Sequence, residues 1–373
     1  MAKKNSPYKK ATCFFVLVAL ILRFLFAEHT AFAQIIPEYT FIPSNIITAE
    51  MILTATAYVS PDEIWFSGMH GDDGIWLIKA NKSGEILWSK VFSSTNNKKF
   101  RINGIQKANN SLLLGIIDSK TSLGQVALLS DGAIKQTISI GSAKIFSYRS
   151  SPLGLLAQGV VYDKTAESCA PQTTLIDMDG QIVFQYTGTP YATSIDQGAL
   201  SSSICCASSE AIYIVEHRAN YNQELICLDI SGNEQWRIPL KSDSTIAATS
   251  ISAANKNIYV SGLSHSFAHD GTPINHQAQV QCYSIQGEFY WEQSFDTPQC
   301  FLFSTALEDL CSFVGVENGY WYIATINSEG EICTNTYINA IDKFINAPYL
   351  ISKNELLVLG RAKESLLLCH FSF

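Results

Sequence analysis

The sequence has 373 residues, of which 47% are hydrophobic and 16% are charged, and it carries a formal net charge of −8 with ten cysteines. This composition is too apolar for a disordered chain, and it lacks the basic excess of a nucleic-acid-binding protein. It also excludes collagen and coiled-coil proteins. We therefore expect a folded domain with no nucleic-acid partner.

The N-terminal segment matches the pattern of a secretory signal peptide. Four lysines precede an apolar run from Ala11 to Ala27, and the small residues Ala31 and Ala33 mark a cleavage site before Gln34. The pattern predicts a signal peptide at residues 1–33 and a single domain at residues 34–373. An uncleaved membrane anchor is the alternative, which the short apolar run and the Arg23 within it disfavour.

Cleavage would make the chain more acidic. The leader holds five of the 25 basic residues and one of the 33 acidic residues, so the remaining chain has a net charge of −12. Such acidity supports solubility and repels nucleic acid and anionic lipid. No second apolar segment reaches the length of a membrane span. We expect an exported monomer, secreted or held at the cell envelope, that does not insert into a membrane after cleavage.

One short pattern recurs along the rest of the chain: an apolar strand, a turn with a glycine, and a second apolar strand. The turn glycines lie 43 to 55 residues apart, and mostly small polar residues precede them, as in hairpin turns. Glycine supplies the positive φ of such turns without steric cost. The six turn glycines are Gly84, Gly132, Gly180, Gly232, Gly287 and Gly330. Four residues beyond them, four of the six repeats carry a large aromatic residue, at Trp88, Phe184, Trp236 and Trp291.

A second glycine marks the end of an apolar strand within each repeat. It recurs at Gly68, Gly115, Gly159, Gly262, Gly315 and Gly360. In one repeat, Glu216 takes its place. Counting by this marker predicts seven repeats.

The second repeat shows the unit most plainly. It has four apolar stretches joined by turns, at Phe100–Ala108, Ser111–Asp118, Gln125–Ser130 and Ala133–Ile140. No stretch keeps a 3.6-residue apolar period, and β-branched and aromatic residues dominate, which favours strands over helices. Four-stranded antiparallel units of this length are blades of a β-propeller. We predict an all-β, seven-bladed propeller, with six blades as the alternative.

The last repeat supplies only three strands. These lie near Ala347–Leu350, Glu355–Gly360 and Leu366–Phe371, and the stretch Glu38–Ile42 offers the missing fourth. Pairing of the N-terminal strand with the last blade would close the ring. Closure removes the exposed sheet edges that otherwise invite aggregation.

The run from Lys79 to Trp88 resembles the repeat of quinoprotein-like propellers, whose blades carry an acidic or small residue, a turn glycine and a docking tryptophan. The run from Leu228 to Trp236 resembles it again. That family includes eight-bladed dehydrogenases that use pyrroloquinoline quinone, and this chain is short for them. It also includes non-catalytic scaffolds, among them an outer-membrane assembly propeller. The resemblance therefore implies the fold and leaves the activity open.

Connections between second and third strands lie on one face of a propeller, and three adjacent ones are predicted to be long. They are Asp163–Gln172 in blade three, Glu216–Gln223 in blade four and Leu263–Gln277 in blade five. Because function usually resides on irregular loops, we predict a binding surface on this rim; the alternative is a set of surface loops that tolerate insertion. Its candidate ligand-binding residues are Tyr162, His217, Tyr221 and Phe267, and the aromatic rings of Tyr162, Tyr221 and Phe267 could stack on sugars or anchor a peptide.

The blade-five connection also contains possible metal ligands. His265, His269, Asp270 and His276 are of the types that bind zinc or a similar divalent ion. Their spacing matches no known ligand motif, however, and Gly271 and Pro273 indicate an exposed polar loop. We therefore expect no cofactor, with a divalent metal as the alternative. His70, Asp72 and Asp73 form a similar, smaller group in blade one.

Nine cysteines remain after cleavage, and this odd count leaves at least one unpaired. Cys227, Cys282 and Cys369 fall at equivalent places in third strands, which predicts buried free thiols. The adjacent Cys205 and Cys206 would point to opposite faces of a strand, which disfavours a disulfide between them. Cys300 and Cys311 could pair across a hairpin.

No nucleophile elbow, phosphate-binding loop, metalloprotease helix motif or paired CxxC occurs in the sequence. The leading hypothesis is a secreted, non-catalytic recognition or scaffold module that binds a protein or polysaccharide through blades three to five. The alternative is an extracellular hydrolase or lyase with a metal held by His265, His269 or His276. A quinone dehydrogenase is the third hypothesis.

Overall fold

The computed structural model describes residues 38–43, 52–70, 74–93, 100–163, 165–192, 204–217, 223–241, 245–267, 273–296, 300–318, 320–338, 343–362 and 365–373. All of them belong to one compact unit, Pro37–Phe373. Every regular element within these ranges is a β-strand, as predicted. They contain no helix with the length and apolar character needed to cross a bilayer. The predicted signal peptide lies outside the described residues.

The strands follow one another with short turns between most of them. Strands β1 to β5 are Glu38–Pro43, Ile52–Ser60, Glu63–His70, Gly74–Ala80 and Ile86–Ser93. Strands β6 to β13 are Phe100–Ala108, Ser111–Asp118, Leu123–Ser130, Ala133–Ser151, Gly154–Asp163, Ser168–Ile176, Ile182–Thr187 and Tyr191–Ala192. Strands β14 to β21 are Ile204–Ala207, Ala211–His217, Gln223–Asp229, Glu234–Pro239, Thr245–Ala254, Asn257–Phe267, Pro273–Ser284 and Phe289–Phe295. Strands β22 to β28 are Phe301–Leu307, Leu310–Glu317, Tyr320–Asn327, Ile332–Ile338, Lys343–Ser352, Glu355–Ala362 and Ser365–Ser372.

The strands form antiparallel sheets in sequence order. Strands β2–β5, β14–β17, β18–β21 and β22–β25 each make a four-stranded sheet, and β26–β28 make a fifth sheet of this size with β1. Strands β6–β12 form a larger sheet, to which β13 adds by pairing with β11. The sheets are the predicted units of an all-β propeller.

The larger sheet is continuous because β9 belongs to both of its halves. Residues 133–139 and Lys144 of β9 pair with β8, and residues 144–151 pair with β10. Gly141, with a φ of 92°, lies between the two parts. We divide the sheet at this glycine into blades two and three, so that β2–β5 form blade one and β14–β17 form blade four. The count of seven blades is our interpretation of this division.

The N-terminal strand completes the last blade, as predicted. Strand β1 pairs antiparallel with β28, with Glu38 opposite His370 and Pro43 opposite Ser365. The outer edge of β28 is thereby hydrogen-bonded instead of exposed.

The turn glycines adopt the backbone conformation that the repeat pattern requires. All six have φ between 70° and 88°. In most of these turns an Asn, Asp or Ser side chain accepts hydrogen bonds from backbone N–H groups two and four residues ahead. Asp229, for example, accepts from Ser231 and Asn233, both at 2.9 Å. These bonds satisfy donors that the turn would otherwise leave free.

The aromatic residue beyond a turn glycine docks on the turn of the next blade. The Trp236 indole lies against Gly287 and donates from Nε1 to the carbonyl oxygen of Ile285 at 3.1 Å. Trp291 lies against Gly330 in the same way and donates to the carbonyl oxygen of Ser328 at 2.8 Å. The repeated aromatic therefore connects successive sheets.

The second recurring glycine lies opposite a β-bulge in the first strand of its blade. Gly262 pairs with Ala248 where the register of β18 shifts, and a Cβ on Gly262 would lie 2.1 Å from the carbonyl oxygen of Ala247. The same shift occurs opposite the other five marker glycines. In blade four, Glu216 stands at the marker position, and the described pairing of β14 with β15 ends one residue before it, with Ile204 opposite Val215. The bulge explains why glycine recurs at this position, because the bulged strand leaves no room for a side chain.

The apolar core lies between neighbouring sheets. One cluster joins Val215 and Leu225 of blade four to Ile251 and Val260 of blade five, and others fill the equivalent spaces. The first strands of the blades lie innermost. They pack against one another in the order β2, β6, β9, β14, β18, β22 and β26, and β26 packs against β2. This closed ring separates a central channel from the outer surface of the blades.

Candidate functional site

The upper face of the propeller is defined here as the end at which second strands run into third strands. Strand β19 continues for five residues beyond its marker Gly262, and β10 continues for four beyond Gly159. Strands β3, β23 and β27 continue for only two residues beyond theirs. At about 3.3 Å per residue, the blade-five hairpin β19–β20 rises about 10 Å above those of blades one, six and seven.

The predicted blade-five loop is mostly strand. Strand β19 reaches Phe267 and β20 begins at Pro273, so only residues 268–272, which lie outside the described residues, separate them. The prediction of a loop over Leu263–Gln277 is therefore wrong in its extent. The Gly and Pro punctuation at Gly271 and Pro273 marks only the turn between the two strands.

The predicted ligand-binding residues fall at the upper ends of three adjacent blades. Tyr162 lies in β10 opposite Cys169 and is half-buried. His217 is the last residue of β15, and Phe267 is the last residue of β19. Tyr221 lies outside the described residues. Their role in binding stays a prediction.

The predicted metal ligands are described only in part. His265 and His276 are direct partners in the β19–β20 ladder. His269 and Asp270 lie outside the described residues, as do Asp72 and Asp73 of the blade-one group. Among the residues that the structure does describe, no three His, Cys, Asp or Glu side chains are grouped to hold a metal ion. The metal site stays a prediction.

A buried charged network lies beneath the upper ends of blades three and four. Glu216, which is 1% exposed, accepts a hydrogen bond from Nη1 of Arg237 at 3.2 Å. The same guanidinium donates to Glu224 at 2.8 Å and to Glu234 at 2.7 Å. Tyr186 of β12 accepts from Nη2 of Arg237 at 2.7 Å and lies 3.3 Å from Glu216. Arg237 thus connects three strands of blade four to the last strand of blade three.

The charges and burial of this network shift the pKa values of its members. Hydrogen bonds to Glu234 and Glu224 raise the pKa of Arg237, although burial acts against this. Burial and then the negative charge of Glu216 raise the pKa of Tyr186. Arg237 therefore stays charged and Tyr186 stays neutral at physiological pH.

A second set of hydrogen bonds ties blade four to blade five at the same level. Gln223, the first residue of β16, is buried, and its side-chain Oε1 accepts from the N–H of Ala248 at 3.1 Å. Its carbonyl oxygen accepts from Leu240 at 2.9 Å. Hydrogen bonds therefore connect blade three to blade four and blade four to blade five just below their upper ends. Such support lowers the entropic cost of ordering a binding surface.

The central channel contains a cavity of about 560 Å³. Its wall takes residues from the first strand of every blade. Hydroxyl and amide groups, including those of Asn103, Ser304, Thr305 and Tyr349, supply most of its polar side chains. Arg149 of β9 is the one charged residue among the described lining residues. The cavity has the size of a small-molecule site.

Arg149 is held by neutral oxygens from neighbouring inner strands. Its Nη1 donates to the carbonyl oxygens of Cys205 and Ile251, at 2.9 and 2.6 Å. Its Nη2 donates to Oγ of Ser250 at 3.1 Å, and Ser250 lies 2.7 Å from Oγ of Ser304. The described residues include no carboxylate paired with Arg149.

No disulfide joins the cysteines that the structure describes. The disulfide between Cys300 and Cys311 that the sequence allows does not form, because Cys311 lies opposite Ala306 in the β22–β23 ladder whereas Cys300 precedes Phe301 at the other end of β22. The buried thiols predicted in third strands are confirmed at Cys227, Cys282 and Cys369.

Cys205 and Cys206 pack into different core clusters, as expected for neighbours on a strand. Burial raises the pKa of Cys206 to about 12, although the charge of Arg149 acts to lower it. A thiol that stays protonated is a poor nucleophile and metal ligand.

Sequence reasoning missed both polar clusters. Glu216 did carry a signal, since it interrupts the series of marker glycines. Arg149 carried none, because a single arginine in an inner strand does not differ in pattern from a surface residue. Its role depends on which strands meet around the channel.

Neither a protein-family model nor a curated protein matches the chain. Solved structures match it in fold. The β-propeller domain of Cps50 (Swd1) from Myceliophteria thermophila is 12% identical, with a TM-score of 0.52 over 90% of this chain and 100% of that chain. The propeller domain of the trilobed protease from Pyrococcus furiosus is 9% identical, with a TM-score of 0.54 over 86% of this chain and 93% of that one. An acylaminoacyl peptidase is 12% identical, with a TM-score of 0.55 over 86% of this chain and 51% of its own. These likenesses show the β-propeller fold alone.

Proposed function

We propose that the chain is a non-catalytic recognition or scaffold propeller that binds a protein or polysaccharide through the upper ends of blades three to five. The single observation that carries this proposal is the β19–β20 hairpin, which projects about 10 Å above the hairpins of blades one, six and seven. A projecting hairpin gives a partner an ordered surface that those blades do not offer. Export, a monomeric state, seven blades and the quinoprotein-like subtype belong to the same proposal.

The network around Arg237 supports this choice of surface. It joins blades three and four directly below their upper connections, and the hydrogen bond between Gln223 and Ala248 joins blade four to blade five at the same level. Surfaces that are rigid before binding lose less entropy on binding. A departure from the repeat at Glu216 is also the kind of local exception that functional sites introduce.

The chemistry of the candidate residues suits sugar or peptide. Tyr162, Tyr221 and Phe267 offer aromatic rings for stacking, and His217 offers a hydrogen-bonding group. The net charge of −12 in the chain beyond residue 33 favours a neutral or cationic partner over an anionic one.

A metal-assisted hydrolase or lyase is the second candidate function. The observation in its favour is the direct pairing of His265 with His276 across β19–β20. We would measure the melting temperature of the protein and of a His265→Ala, His276→Ala variant with and without zinc. A zinc-dependent rise that the variant loses would favour the enzyme, and equal responses would set it aside.

The recognition function is tested by affinity capture with the purified protein. It is immobilised and incubated with a detergent-treated cell-envelope extract and with culture fluid. In the test variant, residues 264–277 are replaced by Asn-Gly, which closes a two-residue hairpin between Leu263 and Ala278, partners in the native ladder. The matched control is Tyr290→Ser, which removes a half-exposed aromatic on β21 of the same blade.

We expect one protein or glycan to be retained by the native protein and by Tyr290→Ser, and lost by the shortened variant with an unchanged melting temperature. Equal retention by all three proteins would overturn the choice of surface. Retention by none of them would overturn the recognition function and favour the enzyme.

A further inference from the structure

We propose that the central channel is a binding site for a small organic carboxylate, with Arg149 as its anchor. This site is separate from the upper rim of blades three to five and does not depend on the function proposed for that rim. It rests on the cavity of about 560 Å³, on the position of Arg149 in its wall, and on the hydrogen bonds that the guanidinium does and does not make.

Arg149 has hydrogen-bond donors to spare. A guanidinium has five N–H groups. Two on Nη1 reach the carbonyl oxygens of Cys205 and Ile251, and one on Nη2 reaches Ser250. In the described part of the chain, the N–H on Nε and the second N–H on Nη2 have no acceptor. Nε and Nη2 are neighbouring nitrogens on one edge of a guanidinium.

Among the described residues, only neutral groups accept hydrogen bonds from Arg149, and no negative charge balances its positive charge. Carbonyl and hydroxyl oxygens accept its hydrogen bonds but carry no net charge. A charge in a confined cavity without a counterion is costly, and a bound anion would offset this cost. The carboxylates of Glu216, Glu224 and Glu234 are not counterions of Arg149, because each forms an ion pair with Arg237 in the network between blades three and four.

The shape of the free edge selects the class of anion. Two parallel N–H groups match the two oxygens of a planar carboxylate in a bidentate pair. Around this anchor the wall offers the hydroxyl groups of Ser304 and Thr305 and the apolar side chain of Leu302, which is 40% exposed. A carboxylate with a short aliphatic or hydroxylated body fits this mixture. The geometry of Arg149 thus sets the headgroup, and the neutral wall accommodates the remainder of the ligand.

The test uses sodium succinate as the probe. Its binding to the purified protein is measured by isothermal titration calorimetry and by the shift in melting temperature. Sodium sulfate and sodium chloride at the same ionic strength are the comparisons, because they separate carboxylate binding from general salt effects. We expect succinate to bind and to raise the melting temperature more than either salt. Arg149→Lys should weaken binding at least about tenfold, because a point charge replaces the two-donor edge.

Because substitution of Arg149 also removes hydrogen bonds within the ring, a second variant leaves that residue intact. Ser250 accepts a hydrogen bond from Arg149 and lies next to Ser304. The carboxylate introduced by Ser304→Asp should therefore accept the unused hydrogen bonds of Arg149 and take the place of the ligand's carboxylate. We expect this variant to fold and to lose succinate binding, whereas Lys135→Asp, which adds a carboxylate at an exposed position outside the channel, should retain it.

Three results would overturn the proposal. The first is no response of the native protein to succinate beyond that to chloride. The second is binding of sulfate at least as tight as that of succinate, which would contradict the planar carboxylate. The third is unchanged succinate binding by Ser304→Asp, which would place the ligand elsewhere.

Discussion

Arg149 donates a hydrogen bond to the carbonyl oxygen of Ile251 at 2.6 Å, although β14 lies between the strands that carry the two residues. The same guanidinium donates to Cys205 on that intervening strand. One side chain therefore holds the inner strands of three consecutive blades together. The blades otherwise contact one another mainly through apolar packing and docked aromatic rings.

We expect Arg149→Gln to lower the free energy of unfolding by about 2 kcal/mol, because it removes hydrogen bonds from a charged donor to three acceptors. Urea unfolding at pH 7, followed by tryptophan fluorescence, measures the change. Lys135→Gln is the control, because Lys135 is exposed and its pairing with Asp131 is long, at 3.9 Å. An Arg149→Gln variant as stable as the control would contradict a role in joining the blades.

Arg237→Met should be more damaging, by about 3 kcal/mol, because it leaves the buried carboxylate of Glu216 without its charged partner. Adding Glu216→Gln should recover at least about 1 kcal/mol, since it removes the uncompensated charge. The two single variants and the double variant form a thermodynamic cycle that is measured by urea unfolding. Strict additivity of the two substitutions would show that the residues are not coupled.

Glu63 makes stability depend on pH at the contact between blades one and two. It accepts from Nζ of Lys107 at 2.9 Å and from Nε1 of Trp65 at 2.9 Å. Burial acts to raise the pKa of Glu63, but these hydrogen bonds and the charges of Lys107 and Lys79 outweigh it and lower the pKa below the ordinary value of 4.5. The carboxylate therefore contributes stability that is fully present above that value and is lost as the pH falls through the folded-state pKa.

We accordingly expect Glu63→Gln to cost about 1 kcal/mol at pH 7 and progressively less as the pH falls below the unfolded-state pKa of Glu63. Urea unfolding of both proteins at neutral, mildly acidic and strongly acidic pH measures the difference. A cost that stays constant over this range would mean that the ionised form of Glu63 contributes nothing.

Trp236→Ala should lower the free energy of unfolding by about 3 kcal/mol, because the indole packs on Gly287 and donates to the carbonyl of Ile285. Trp236→Phe keeps part of the packing and should cost less. Thermal unfolding of the two variants measures both effects. A loss below about 0.5 kcal/mol for Trp236→Ala would show that the docked ring does not stabilise the contact between blades.

The fold was largely predictable because it is built from local, repeated constraints. Turn glycines such as Gly232 must adopt positive φ, and marker glycines such as Gly262 must pass close to a bulged strand, so both recur with the blade. The closing strand was predictable for a different reason, since three strands at the C-terminus left one to be supplied. Strand β9 was not predicted correctly, because its continuation through Gly141 into the next blade depends on how two blades meet.

The polar sites could be predicted only in part because they depend on long-range contacts. Arg237 lies 51 residues from Tyr186 and Arg149 lies 102 residues from Ile251 along the chain. Periodicity places each residue on a strand but does not tell which strands from other blades face it. Glu216 could be singled out because it breaks a rule that the other blades obey.

The proposed binding surface is tested most directly by site-specific photocrosslinking. A benzophenone amino acid is introduced at Phe267, the end of β19, and separately at Tyr290 on β21 of the same blade, and each protein is irradiated in the cell-envelope extract. We predict a discrete crosslinked product from position 267 and none from position 290. A product from position 290 alone, or the same product from both positions, would contradict recognition through the upper ends of blades three to five.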